Sequence, residues 1–134
     1  LNFGCPHGMS ERGMGAAVGQ VPDYTCQIVE WVKEAATIPV IVKLTPNVTD
    51  VASFARASED AGADAVSLVN TFLAMAIDVE TRRPRLGFGT GGLSGPAIRP
   101  IAVRMVWDAF NAVGIPVIAS LNDMRTRFPA SFSM

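Results

Sequence analysis

The residues with the most evident chemistry lie at the start of the chain, in residues 2–8 (NFGCPHG). Cys5 and His7 carry a thiol and an imidazole, the two side-chain groups that exchange protons most readily near neutral pH. Pro6 stands between them and restricts the backbone, which holds the pair in a fixed relation. We therefore predict proton chemistry at this segment. The competing interpretations are a small buried cysteine at a strand end and a solvated loop histidine.

Lys43 and the pair Asn70-Thr71 are the next candidates, because each stands near the end of an apolar run. A largely enclosed ammonium group needs an anion or several hydrogen-bond acceptors, although a lysine can also extend its amine to solvent. The carboxamide of Asn70 offers donors and acceptors that match a cyclic imide, such as the edge of a pyrimidine ring. An ordinary turn at Asn70-Thr71 is the alternative.

Two glycine clusters occur within residues 87–95. Residues 87–92 (GFGTGG) satisfy the pattern G-x-G-x-x-G, but the charged residues before them include Pro84 and cannot form the buried strand of a dinucleotide-binding fingerprint. The backbone of residues 91–95 (GGLSG), just before Pro96, could instead approach a cofactor closely. The sequence shows no carboxylate pair, Walker motif, Ser/His/Asp arrangement or metal-ligand spacing.

Apolar periodicity predicts the elements that would position these groups. Residues 38–44 (IPVIVKL) are typical of a strand covered on both faces. The apolar face of the first helix should consist of Tyr24, Ile28, Val32 and Ala35. In order, we expect a strand end at 1–5, a glycine-rich loop at 9–19, a helix from Pro22, a strand at 38–44, a helix at 51–61 capped by Thr49 or Asp50, a strand at 65–70, a long loop at 71–95, a helix at 98–113 and a strand at 115–120.

This order of elements predicts an α/β fold with a parallel sheet. About four parallel strands with three helices would make a partial TIM (β/α)8 barrel, and a doubly wound sheet is the open alternative. In both architectures ligands bind at the carboxyl ends of the strands. Those ends would carry Asn2 and Cys5, then Lys43, then Asn70 and Thr71. Polar groups therefore recur where an active face is expected.

Composition narrows the classes of partner and compartment. Hydrophobic residues make up 49% of the 134 positions and charged residues 17%, so the chain should bury a core. A net charge of −1 without a basic run argues against nucleic acid and membrane surfaces as partners. The two cysteines form no disulfide framework, and no apolar run reaches the roughly 20 residues of a bilayer span, which favours a cytoplasmic protein.

The ends of the chain suggest how it is organised. Because it begins with Leu1 inside an apolar segment, we interpret residues 1–120 as a fragment of the barrel. Residues 121–134 (LNDMRTRFPASFSM) lack apolar periodicity, and we expect them to be an atypical tail, either disordered or an artefact.

Several long motifs carry a resemblance to one superfamily. Residues 1–15 (LNFGCPHGMSERGMG), 38–50 and 62–71 resemble the flavin-bearing domain of dihydropyrimidine dehydrogenase. Residues 70–86 and 90–106 are similar to the catalytic subunit of class 1B dihydroorotate dehydrogenases. Both groups are (β/α)8 barrels that hold FMN at the carboxyl face, and the resemblance covers about residues 1–119.

The resemblance implies a role for each candidate. Cys5 would exchange a proton with C5 of a pyrimidine ring, while hydride passes between the flavin and C6. Lys43 would stabilise the reduced, anionic flavin, and Gly95 would lie against the ribityl-phosphate of FMN. The residues implied to bind the substrate are Asn2, His7, Asn70 and Thr71.

The substrate and the electron partners also follow from the resemblance. His7 matches dihydropyrimidine dehydrogenases, whereas dihydroorotate enzymes usually have Asn at that place. We therefore predict reduction of uracil or thymine, with oxidation of dihydroorotate as the alternative. A non-enzymatic alternative is an inactive, truncated remnant that only associates with other subunits. An iron–sulfur cluster and FAD or NAD(P)H would come from a partner subunit or a missing domain, and the complete enzyme should be an oligomer.

Two departures from the family pattern stand out. Gly4 occupies a position where many relatives have Ser, and Ser120 follows Ala119 where the family continues into a Gly-Gly turn that grips the FMN phosphate. We therefore expect the isolated polypeptide to be inactive and to lose FMN, which a stoichiometric visible flavin spectrum of the purified chain would contradict.

Overall fold

The chain folds into helices and strands around a parallel sheet, as a computed structural model that describes residues 1–5 and 12–120 shows. The α/β prediction is confirmed, although the described residues contain four helices rather than three. The helices are α1 (Ala16–Gly19), α2 (Pro22–Ala35), α3 (Val51–Asp60) and α4 (Arg99–Phe110), the last preceded by a 3-10 turn at Pro96–Ile98. The strands are β1 (Ile41–Lys43), β2 (Ala65–Leu68), β3 (Phe72–Ala74), β4 (Ile77–Asp78), β5 (Arg83–Pro84), β6 (Gly91–Leu93) and β7 (Val117–Ala119).

A parallel sheet in the order β1-β2-β7 forms the centre of the fold. Residues 1–3 run beside β1, because Asn2 pairs with Lys43 in a parallel bridge and the Phe3 N–H donates to the Lys43 carbonyl at 3.0 Å. The predicted strand at 1–5 is present only as this short pairing. Four segments therefore lie side by side in the order in which they occur along the chain.

The two faces of the sheet differ in burial. Val42 and Val66 are 0% exposed, and helices α3 and α4 contact the sheet. Ile41 and Ile118, which point to the opposite face, are each 42% exposed. Within the described residues β1 is covered on one face only, so the covering of both faces predicted at 38–44 is not met there.

Helix α2 begins where predicted, but its buried face is not the predicted one. Thr25 and Val29 are buried, whereas Tyr24 and Ala35 are exposed. The reason is that the Thr25 hydroxyl donates to the Val18 carbonyl at 3.2 Å. This hydrogen bond satisfies the Thr25 hydroxyl inside the core. The buried face of α2 is therefore shifted by one residue from the predicted one, to Thr25 and Val29.

Helix α3 confirms both of its predicted ends. The Asp50 carboxylate accepts hydrogen bonds from the N–H groups of Ala52 at 3.0 Å and Ser53 at 3.3 Å, as an N-cap does. After the helix the chain turns at Gly62, whose φ of 88° favours glycine.

Residues 72–93 form an antiparallel arm, so the prediction of a long loop at 71–95 is wrong. Strand β3 pairs with β6, and β4 pairs with β5. Each of these strands is two or three residues long, and β6 has the sequence GGL. Such short, glycine-containing segments lack the apolar alternation that signals a strand.

Two carboxylates stabilise the connections between helices and strands, at the amino ends of the strands. Asp64 accepts hydrogen bonds from the Val40 N–H at 2.6 Å and from Lys33 Nζ at 2.7 Å. Glu59 accepts from the backbone N–H groups of residues 114–115 at 2.8 and 3.1 Å, just before β7. These side chains connect helices to strands on the side opposite the predicted ligand face.

Replacing Asp64 by Asn should destabilise the fold at neutral pH. Hydrogen bonds from Lys33 and then from Val40 lower the pKa of Asp64 below its ordinary value of 3.8. The ionised carboxylate therefore stabilises the fold above that value, and this stabilisation is lost as the pH falls through the lowered pKa. Thermal unfolding followed from neutral to acidic pH should show a difference between wild type and Asp64→Asn that shrinks in acid.

Asp60→Asn is the matched control, since Asp60 is exposed and makes no side-chain hydrogen bond or ion pair with the described residues. Equal unfolding midpoints for wild type and Asp64→Asn at neutral pH would contradict the prediction.

Candidate active site

The polar residues predicted at the strand ends converge at the carboxyl edge of the sheet. Asn2 lies beside Lys43 through their backbone bridge. Asn70 follows β2, and its Nδ2 lies 3.5 Å from Asn2 Oδ1. The parallel sheet thus brings together three candidates that are widely separated in the sequence, and Cys5 follows in the same segment as Asn2.

The carboxamides of Asn2 and Asn70 have fixed orientations. Asn2 Oδ1 accepts a hydrogen bond from the Gly4 N–H at 3.1 Å, and Asn70 Oδ1 accepts one from the Thr71 N–H at 2.8 Å. No described residue accepts a hydrogen bond from Asn2 Nδ2. These amides can therefore offer donors and acceptors to the edge of a planar ligand.

Gly4 is required by the close approach of Asn70. A Cβ atom at Gly4 would lie 2.4 Å from Asn70 Nδ2 and 2.6 Å from Asn70 Cβ. The constraint is steric, because Gly4 does not have a positive φ. A larger residue at position 4 would therefore displace the Asn70 carboxamide.

Cys5 is held through its backbone. Its carbonyl accepts a hydrogen bond from the Ala16 N–H at 3.0 Å, at the start of α1. Gly15 has a φ of 57°, and a Cβ there would lie 2.8 Å from the Cys5 carbonyl oxygen. The half-buried Cys5 side chain is not part of a disulfide. His7 lies outside the described residues, so its role as a substrate ligand stays a prediction.

Cys26, the second cysteine, serves in packing. Its Sγ donates to the Ala57 carbonyl at 3.2 Å, between α2 and α3. Burial raises the pKa of the Cys26 thiol, and the carboxylates of Glu30, Asp23 and Asp60 raise it further. A raised pKa disfavours the reactive thiolate form.

Lys43 lies on the same face of the sheet as Ser67 and Ile118. Lys43 is in register with Ser67 on β2, which is in register with Ile118 on β7. Within residues 1–5 and 12–120 no carboxylate forms an ion pair with Lys43, although its side chain is half-buried. A cation without a neutralising carboxylate favours an anionic ligand.

Ser67 is a residue of this face that the sequence analysis missed. Its Oγ lies 2.5 Å from Ser120 Oγ. The signal that could have identified it is a single hydroxyl inside the apolar run at 65–69, since alternation along a strand places it on one defined face.

Thr71 and Gly95 lie farther along the same polypeptide. A Cβ at Gly92 would lie 2.8 Å from Thr71 Oγ1, so the arm packs directly against Thr71. Gly95 has a φ of 82° and precedes the 3-10 turn, and a Cβ there would meet nothing within 4 Å. Among the described residues no hydrogen bond joins Gly95 to Lys43 or to Asn70.

The described residues contain neither a candidate metal centre nor a candidate membrane span. No group of three or more histidine, cysteine, aspartate or glutamate residues there could hold a metal ion. None of the helices in the same residues has the length and apolar character needed to cross a membrane.

Gly4→Ala should displace the Asn70 carboxamide and destabilise the protein by about 1–3 kcal/mol, the usual cost of overpacking. Gly87→Ala is the control, because a Cβ at Gly87 would meet nothing within 4 Å. Chemical denaturation measures the stability, and the NMR signal of the Asn70 side-chain amide reports its position. Equal stability of the two variants with an unshifted Asn70 signal would show that the contact is not close.

Comparison with known proteins gives consistent matches. The family model described as dihydroorotate dehydrogenase matches residues 1–120. The catalytic subunit of dihydroorotate dehydrogenase B (NAD(+)) from Caldicellulosiruptor saccharolyticus is 55% identical over 118 residues, which cover 88% of this chain and 38% of that protein. The same subunit from Geobacillus kaustophilus is 50% identical over 118 residues, covering 88% of this chain and 37% of that protein.

The match to the corresponding subunit of Desulforudis audaxviator is longer. It has 48% identity over 132 residues and covers 98% of this chain and 42% of that protein, so it extends beyond residue 120. The chain thus spans about two fifths of the length of these relatives. The relatives favour dihydroorotate dehydrogenase, the alternative of the sequence analysis, over dihydropyrimidine dehydrogenase. On the match to residues 1–120, the chain belongs to the dihydroorotate dehydrogenase family.

Proposed function

We propose that the protein oxidises dihydroorotate to orotate as a flavin-dependent oxidoreductase. The observation that carries this proposal is the family match over residues 1–120, which contain the whole cluster of Asn2, Cys5, Lys43 and Asn70. The chain covers only 38% of the Caldicellulosiruptor saccharolyticus subunit. The activity, substrate and partners of the whole protein are therefore our inference.

The residues at the carboxyl edge fit FMN. Lys43 offers a positive charge that no described carboxylate neutralises, which suits a flavin that becomes anionic on reduction. The open backbone at Gly95 leaves room for close approach of a ribityl-phosphate chain. We infer that Lys43 and Gly95 hold the cofactor. FMN, when bound, supplies the hydride acceptor for C6 of the substrate ring.

In this proposal Cys5 carries out the proton transfer. Its thiolate removes the proton from C5 of dihydroorotate, and the electron pair left behind forms the C5=C6 double bond as hydride leaves C6. The substrate thus loses one proton and one hydride and becomes orotate. The Ala16 N–H, which binds the Cys5 carbonyl, holds the thiol-bearing segment in place during this transfer.

Asn2 and Asn70 orient the ring. The amide dipoles in contact at 3.5 Å present donors and acceptors from two different strand ends. A cyclic imide that bonds to both amides would be held in a defined orientation. Thr71, whose N–H fixes the Asn70 carboxamide, completes this side of the site.

We also infer the wider assembly. The exposed apolar face with Ile41 and Ile118 supports a partial (β/α)8 barrel, since the interior of a barrel is covered by its other strands. The relatives are named catalytic subunits, which supports a partner subunit that transfers electrons. An iron–sulfur cluster and FAD or NAD(P)H would belong to that partner.

Steady-state assays on the full natural polypeptide that contains this sequence test the substrate. We expect oxidation of dihydroorotate and no appreciable reduction of uracil or thymine. Reduction of uracil without oxidation of dihydroorotate would overturn the proposal and favour the dihydropyrimidine dehydrogenase interpretation, in which Cys5 acts as an acid.

Cys5→Ala should lower the turnover number for dihydroorotate by about 10²- to 10⁴-fold, the usual contribution of a general base. Cys26→Ser is the matched control, because Cys26 lies between two helices and should leave turnover near that of the wild type. Full turnover in Cys5→Ala would remove this thiol from the mechanism.

A further inference from the structure

Asn47 lies in the loop between β1 and α3, and neither the sequence analysis nor the family match singles it out. We propose that Asn47 is a positioning residue: it fixes the backbone on both sides of Phe72, orients the Asn70 carboxamide, and so controls affinity for the pyrimidine ring. This inference rests on the proposed function, in which Asn70 binds that ring.

The Asn47 carboxamide makes a two-point contact with the backbone that follows β2. Its Nδ2 donates to the Thr71 carbonyl at 3.1 Å, and its Oδ1 accepts from the Leu73 N–H at 2.8 Å. These two backbone groups flank Phe72, so one side chain holds the segment as a neighbouring strand would. The segment is thereby fixed at the point where β2 passes into the arm.

Further hydrogen bonds fix Asn47 itself. Thr45 Oγ1 accepts from the Asn47 N–H at 3.2 Å and from Asn47 Nδ2 at 3.3 Å. Thr45 is 1% exposed, so this anchor lies in the core. Gln20 Nε2 donates to the Asn47 carbonyl at 3.0 Å. A flipped carboxamide would set oxygen against the Thr71 carbonyl and nitrogen against the Leu73 N–H, so only one orientation is satisfied.

Thr71 transmits the position of Asn47 to Asn70. The carbonyl of Thr71 accepts from Asn47, while its N–H donates to Asn70 Oδ1 at 2.8 Å. Rotation of the Thr71 backbone would therefore move the Asn70 carboxamide. Gly4 closes the opposite side of Asn70, so the amide is held between two backbone surfaces.

The informative variant is Asn47→Asp in the full natural polypeptide. Aspartate has the same shape and keeps an acceptor for the Leu73 N–H, but it loses the donor and places a carboxylate oxygen against the Thr71 carbonyl. Asn47→Ala removes both contacts. Thr45→Val removes only the acceptor that orients the amide, and it serves if Asn47→Ala does not fold.

We expect Asn47→Asp to raise the KM for dihydroorotate and the Kd for orotate about tenfold, with a much smaller change in kcat. KM should change more than kcat because Asn70 would bind the ring equally in the ground and transition states. Thr45→Val should shift both constants in the same direction by less. Hydrogen exchange at the Leu73 amide should become faster in Asn47→Ala, which removes its acceptor, and to a smaller extent in Thr45→Val.

Asn111→Ala is the control, since it removes a side-chain amide that donates to the Trp107 carbonyl at 2.9 Å on α4. It should leave the KM and the Leu73 exchange rate unchanged. A lower melting temperature in Asn47→Asp with unchanged KM and Kd would overturn the proposal, because it would show a structural role only.

The outcome also separates this inference from the proposed function. If the wild-type protein neither oxidises dihydroorotate nor binds orotate, the proposed function fails, and the affinity part of this inference fails with it. The positional part is then decided by the Leu73 exchange rate and the NMR signal of the Asn70 amide. Both must change in Asn47→Ala, and if neither changes, the positional part is overturned as well.

Discussion

The candidate site depends on one backbone alignment, the parallel pairing of residues 1–3 with β1. The Lys43 N–H donates to the Leu1 carbonyl at 2.8 Å, and the Lys43 carbonyl accepts from the Phe3 N–H at 3.0 Å. The backbone N–H and carbonyl groups of Lys43 are therefore both fixed by residues 1–3. A shift of one residue would turn the side chains of that segment to the other face and separate Asn2 from Lys43. Backbone register thus places the two side chains together.

Close contact with glycine determines how the other half of the site is built. Asn70 packs on Gly4, and Thr71 packs on Gly92, in each case where a Cβ atom would be too close. The side chains of the site therefore rest against the backbone of two different segments. Backbone atoms in a hydrogen-bonded sheet or arm have few alternative positions, which restricts the rotamers of the residues that touch them. The resulting site is preorganised by sterics as well as by hydrogen bonds.

The sequence predicts the features that depend on local pattern and fails on those that depend on distant partners. The N-cap at Asp50 and the carboxyl-edge position of Lys43 follow from local composition and strand order. The buried face of α2 does not, because it requires a carbonyl acceptor for Thr25 from outside that helix. The arm has strands too short to give a periodic signal. The contacts of Asn47 join residues 24 and 26 positions apart, which no periodicity encodes.

Charge is used differently at the two ends of the sheet. At the amino ends, Asp64 binds Lys33 and Glu59 binds backbone N–H groups, so these charges are satisfied within the fold. At the carboxyl end, Lys43 has no carboxylate partner among the described residues. The positive charge of Lys43 therefore stays available to an anionic ligand. This asymmetry favours the carboxyl edge as the ligand face independently of family membership.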